Sequence, residues 1–115
     1  AVGATEDKGY QLYVEIMKKY AEGTNPDDGI TMGAYVAMAS FLTPLEDLKG
    51  DVAPASIIST IKAMDKTPMP GGGGLEYQCN GQASPANPAV CTSQVLQVEL
   101  DAQGQPAKYS VGSAI

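Results

Sequence analysis

Apolar side chains recur at spacings of three and four over the first two-thirds of the chain and alternate with polar ones over the last third. Tyr10, Tyr13, Met17 and Tyr20, widened by Leu12 and Ile16, form a helical stripe. Thr5 is placed to cap that helix, with Glu6 and Asp7 in its first turn, where the macrodipole favours carboxylates. Lys18 and Lys19 suit its negative end and Gly23 its C′ position, so the pattern predicts a helix over about 6–22.

A loop, Gly23-Thr24-Asn25-Pro26-Asp27-Asp28-Gly29, follows. Asp27 or Asp28 can cap a second helix carrying Ile30, Tyr35, Met38, Phe41, Leu42, Leu45 and Leu48. Pro44 interrupts it, and Thr43-Pro44-Leu45-Glu46 has the form of a capping box with proline at the first helical position. Because the apolar face stays in phase, a kink is expected there in preference to a break. Gly50 ends the element. A third helix starts within Asp51 to Pro54, with Ile57, Ile58, Ile61 and Met64 as its buried face.

The texture changes at Pro70. Residues 66–74 read as loop and contain four consecutive glycines, Gly71 to Gly74. Leu75 to Cys79 alternates as a short strand and Asn80-Gly81 is a turn signal. Gln82 to Pro88 is a polar excursion between the cysteines. Val95–Leu100 and Ala107–Val111 read as a hairpin turning at Asp101 to Gly104. The chain itself is thus α+β, three helices followed by a short antiparallel hairpin region. Three apolar helix faces exceed what that hairpin covers. The expected missing partner is the parallel sheet of a larger doubly wound α/β protein.

Composition narrows the chemistry. A net charge of -6, seven lysines and no arginine argue against nucleic-acid binding. The absence of histidine removes most acid–base, triad and metal chemistry near neutral pH. No nucleophile–base pair stands out, so no catalytic residue, no metal ligand and no cofactor is assigned, and an enzyme is not expected. The glycine run lacks the Lys-Ser/Thr of a P-loop and precedes a strand, so a link or tight crossing is expected. Asn25, Asp27 and Asp28 lack the spacing of a calcium loop and read as turn and cap. The tyrosine stripe reads as helix core, with one ring facing a ligand cleft as the lesser alternative.

Two cysteines in a loop-rich segment, Cys79 and Cys91, suggest a disulfide and an extracytoplasmic home, the alternative being two buried thiols. The longest apolar run, around Tyr35 to Leu42, is too short to span a bilayer. The first residue is alanine and no basic, apolar leader precedes it, so a processed or excised chain is expected.

The order of motifs adds a family expectation. Helix Tyr13–Tyr20, Gly23-Thr24-Asn25-Pro26 and the helix bearing Gly33-Ala34-Tyr35 come first. Leu45-Glu46-Asp47-Leu48-Lys49-Gly50-Asp51 and the Ile57–Met64 helix follow. The tail reads Pro70-Gly71-Gly72-Gly73-Gly74-Leu75-Glu76-Tyr77-Gln78-Cys79-Asn80-Gly81, with Cys91 and a Gly104 hairpin after it. Together they resemble the C-terminal third of substrate-binding proteins of branched-chain amino acid ABC transporters, which have the periplasmic-binding-protein-like fold of two doubly wound lobes. The resemblance implies that residues 1–70 are the helical part of one lobe and residues 71–115 a crossing segment and disulfide-closed hairpin tail. It implies ligand contacts at Ile30, with Thr31 adjacent, at the entrance of the second helix. Its implied partners are a small-molecule ligand (an amino acid or related compound), the remainder of the binding protein and an ABC permease. It implies a periplasmic or lipoprotein location. A ligand-sensing module of a receptor with this fold and a small secreted interaction domain are the competing readings. A fragment of this kind is also expected to self-associate through its uncovered helix faces.

Overall fold

The computed structural model describes residues 1–113, so the last two residues of the 71–115 segment lie outside the described residues. Three helices, α1 (Lys8–Tyr20), α2 (Gly29–Leu42) and α3 (Pro54–Lys62), precede two small antiparallel sheets. The first sheet pairs β1 (Thr67–Pro68) with β2 (Glu76–Tyr77), and the second pairs β3 (Gln94–Leu100) with β4 (Pro106–Ser113). This is the expected α+β order, with one strand more than the sequence suggests: part of the 66–74 loop pairs back onto the strand after the glycines. Met69 N–H donates to Leu75 O at 2.8 Å and closes that hairpin around Gly71–Gly74.

The cap of α1 is Asp7, not Thr5. Its Oδ1 accepts from the amides of Gly9 and Tyr10 at 2.7 and 3.1 Å, satisfying two of the helix's unpaired donors. The helix therefore begins two residues later than the apolar stripe suggests. It ends at Tyr20, short of Glu22, and Gly23 turns the chain with φ 83°. Asp28 caps α2 as one of the two expected residues.

α2 does not kink at Pro44: it ends at Leu42 and the chain restarts at once as a short 3-10 helix, Thr43–Asp47, with Pro44 in its first turn. The Thr43 hydroxyl donates back to Ala39 O at 2.8 Å, so the expected capping box does not form. Proline lacks the amide that would continue the ladder, and a short 3-10 run is a common exit from an α-helix. α3 starts at Pro54 with Ala53 as its cap residue, and the Ser56 hydroxyl oxygen accepts the Ala53 amide at 3.1 Å.

The core is small. Tyr10, Tyr13 and Met32 bury together, flanked by Val2, Val14, Met17, Tyr35 and Val36. The Tyr13 and Tyr35 rings lie 5.1 Å apart in a tilted pair that joins α1 to α2. Met64, Tyr77 and Pro44 are also buried, and the Tyr77 hydroxyl donates to Ser40 O at 2.7 Å.

Much of the expected apolar stripe is uncovered. Tyr20, Leu12 and Ile16 of α1 are exposed, as are Met38, Phe41 and Leu42 of α2. α3 buries none of its residues, so of its expected buried face only Met64, just beyond the helix, is enclosed. A folded monomer of 11.9 kDa exposes about 5,900 Å², whereas this chain exposes 7726 Å². Its radius of gyration is 15.7 Å, against about 13 Å for a compact chain of this length.

Candidate functional site

The entrance of α2 is built by three adjacent polar residues, each engaged locally. Asn25 Oδ1 accepts the Asp27 amide at 3.0 Å, which tightens the turn after α1. Asp27 Oδ1 accepts the Tyr10 hydroxyl at 2.8 Å and ties that turn to α1. Asp28 accepts the amides of Ile30 and Thr31, both at 3.3 Å, and the Thr31 hydroxyl at 2.6 Å. These bonds, led by the Thr31 hydroxyl, hold the Asp28 carboxyl below its ordinary range. The turn-and-cap reading of this acidic cluster is what the structure has. Among the described residues, no group of three or more His, Cys, Asp or Glu side chains converges to hold a metal ion.

Ile30 stands on this cap with 85% of its surface exposed. Thr31 is half-buried, and its hydroxyl proton is committed to Asp28, which leaves only its oxygen lone pairs for a further partner. The pair therefore offers one apolar contact and one weak acceptor.

The tyrosines behind the cap are more constrained. Tyr13 is 1% exposed and its hydroxyl has no hydrogen-bond partner among the described residues. Burial, and then the nearby Asp28 and Asp27 carboxylates, push its pKa up. The Tyr10 pKa is raised first by its bond to Asp27 and then by burial. Both phenols are neutral at ordinary pH, and Tyr10 donates to Asp27.

Two cavities flank the glycine run. One, of about 670 Å³, lies between the start of α1, Pro68–Pro70 and the start of β4. Its rim carries Glu6, Asp7, Lys8 and Lys108. The other, of about 620 Å³, is a groove walled by Met32, Val36 and Phe41 of α2, Leu75, Leu96 and the Cys79–Cys91 disulfide. Neither is lined by Ile30 or Thr31, although the adjacent Gly29 borders the second. The signal for that groove was present in the chain: Gly29, Gly33, Ala37 and Ser40 recur along one side of α2 and all line it. Met32 and Val36 border both the groove and the tyrosine core.

The disulfide is formed as the cysteine count suggested. Gln78 N–H donates to Cys91 O at 2.7 Å beside it, so backbone and sulfur together close the 80–90 excursion. No helix is long and apolar enough to cross a membrane among the described residues. Comparison with protein-family models, with curated proteins and with solved structures gives no match to this chain.

Proposed function

We propose that the chain is the C-terminal part of an extracytoplasmic solute-binding protein that captures an amino acid or related small molecule for an ABC importer. The observation that carries this reading is the uncovered apolar surface of α2. Met38, Phe41 and Leu42 are exposed on a helix that has no charged residue and whose polar side chains are Thr31, Tyr35 and Ser40. A helix apolar on nearly all sides belongs between layers. The surplus of roughly 1,800 Å² over a monomer of this mass is of the size that a covering sheet would remove. The order of motifs along the sequence supports a two-lobed binding protein as the source of that sheet. The disulfide supports an oxidising location. In this reading the partners are a small-molecule ligand, the rest of the binding protein and the permease that receives it. Ile30 contributes apolar contact to the ligand from the entrance of α2, with Thr31 beside it.

Thermal unfolding of the longer protein with branched-chain amino acids, aromatic acids and amides tests this. A true ligand raises the midpoint in proportion to the logarithm of its concentration above Kd. Ile30→Asp is expected to weaken that shift and leave the unliganded midpoint nearly unchanged, since Ile30 is already in water. If no compound in the panel shifts the midpoint and residues 1–115 alone behave as a cooperative, compact monomer, the reading fails.

A further inference from the structure

We propose that Asn80–Gly81 is a self-modification site, at which the Asn80 amide is lost to its own backbone, and that the disulfide-closed loop restrains the reaction. The step needs no co-reactant but water. The Gly81 amide nitrogen attacks Asn80 Cγ, a C–N bond forms, the Cγ–Nδ2 bond breaks and ammonia leaves with the amide proton. Hydrolysis of the resulting five-membered imide at either carbonyl gives aspartate or isoaspartate.

The sequence confines this chemistry among its asparagines to one position. The chain has three: Asn25, Asn80 and Asn87. Pro26 and Pro88 follow the other two, and proline nitrogen has no proton to lose. Only Asn80 precedes a residue with an N–H, and that residue is glycine, whose missing Cβ leaves the nucleophile unshielded. Gly81 sits at φ 82°, and the nearest atom to a Cβ placed there would be Pro88 Cβ at 3.6 Å. The Gly81 amide has no hydrogen-bond partner among the described residues, so no acceptor holds the proton it must lose to attack.

Against this, both ends of the Asn80 side chain are held. Nδ2 donates to Met64 O at 3.1 Å, and Oδ1 accepts the Gln82 amide at 3.1 Å. These two bonds resist movement of the side-chain amide into the geometry of attack. Cys79 is the adjacent residue, and its bond to Cys91 fixes the loop on which both contacts depend. Reaction exchanges the donor at Nδ2 for a carboxylate oxygen facing the Met64 carbonyl, two acceptors with no proton between them. The modified loop therefore loses its tie to the segment after α3 and gains a negative charge, and the isoaspartate form also lengthens the backbone by one atom.

The test is a timed incubation of the chain at mildly alkaline pH in two states, oxidised and reduced-alkylated. Peptide mapping scores Asp and isoAsp at position 80. Asp28–Gly29, which can form isoaspartate without ammonia loss, is mapped separately. The reduced form is expected to react about tenfold faster or more, the scale set by freeing two hydrogen bonds that hold the reactant. Because reduction also removes a restraint on the rest of the fold, Gln82→Pro is measured in the oxidised state as well. It deletes the amide that holds Oδ1 and should accelerate the reaction with the disulfide intact. Equal rates in the oxidised and reduced states, or no product at Asn80 in either, overturn the proposal. So does a Gln82→Pro variant that stays folded and reacts no faster.

Discussion

Asp7 Oδ2 accepts the Gly73 amide at 2.6 Å across sixty-six positions of sequence, while Oδ1 of the same carboxylate caps α1. One side chain thus starts the first helix and pins the glycine run to it. The two roles are separable by substitution. Asp7→Ser keeps an N-cap oxygen but is too short to reach Gly73, whereas Asp7→Ala loses both. A cap contributes about 1 kcal/mol and a hydrogen bond to a charged acceptor about 1.5–3 kcal/mol. Denaturant titrations should rank the proteins wild type, Asp7→Ser, Asp7→Ala in falling stability. If the serine variant matches wild type, the contact to Gly73 contributes nothing.

The same crossing sets the sign of a second substitution. Gly9 lies in the first turn of α1, where alanine ordinarily stabilises a helix by about 1 kcal/mol. A Cβ on Gly9, however, would lie 2.1 Å from Gly71 N and 2.9 Å from Pro70 C. Those are backbone atoms and cannot swing aside. Gly9→Ala is therefore expected to lower the unfolding midpoint, against its helix propensity, by forcing the 70–73 segment off α1. A higher midpoint for Gly9→Ala would mean that the crossing yields at little cost.

These two contacts mark the limit of what the sequence made legible. Helix positions, the Asp28 cap, the β3–β4 hairpin and the disulfide are local or nearly so, and periodicity, capping chemistry and cysteine count reach them. The Thr5-to-Asp7 shift arises because Asp7 is selected by a partner sixty-six residues away. The Pro44 region reads as a capping box only if Thr43 points forward, and Ala39 O draws it back instead. The stripe on α3 looks like a core face in sequence, yet burial depends on what packs there, and nothing among the described residues covers Ile58. The entrance of α2 was found where expected, with Ile30 exposed. It lines neither cavity among the described residues.

Alkaline pH should unfold the protein through its tyrosines. Tyr10 is raised first by its hydrogen bond to Asp27, and Tyr13, Tyr35 and Tyr77 first by burial. A phenol whose folded pKa exceeds its unfolded value of about 10 binds its proton more tightly when folded. The stability it contributes is complete below pH about 10 and is lost as pH rises through the folded pKa. Stability measured against pH should hold through neutrality and fall above pH 10. Tyrosinate absorbance should appear at higher pH in the folded protein than in denaturant. Tyr10→Phe is expected to remove the Asp27-dependent part of that difference, and coincident titrations in the two states would contradict the assignment.

Closing the loop between Cys79 and Cys91 should contribute about 3 kcal/mol by restricting the unfolded chain. The double variant Cys79→Ser/Cys91→Ser is expected to unfold at correspondingly lower denaturant. The tie from Asn80 Nδ2 to Met64 O should weaken with it, and exchange of the loop amides should quicken. Alkylation of the unreduced, denatured wild type should label no thiol. Two labelled cysteines would refute the bond.

The uncovered face of α2 should make the isolated chain self-associate. Each large apolar side chain left in water forfeits roughly 1.5–3 kcal/mol relative to burial, and Met38, Phe41 and Leu42 are three on one helix. Each is already about half covered, so burying all three recovers roughly 2–5 kcal/mol, a sizeable share of the stability of a small domain. An interface removing about 800 Å² from each copy meets the usual size of a specific complex, and the surplus surface is ample for it. Sedimentation at micromolar concentration should give a species heavier than the monomer. Phe41→Asp should shift it toward monomer and leave the Tyr10–Tyr13–Met32 core intact, because Phe41 lies outside that cluster. In the longer binding protein proposed above, covering the face should abolish the association without any substitution. Persistence of the same oligomer in the longer protein would show that the α2 face is not what the additional chain covers.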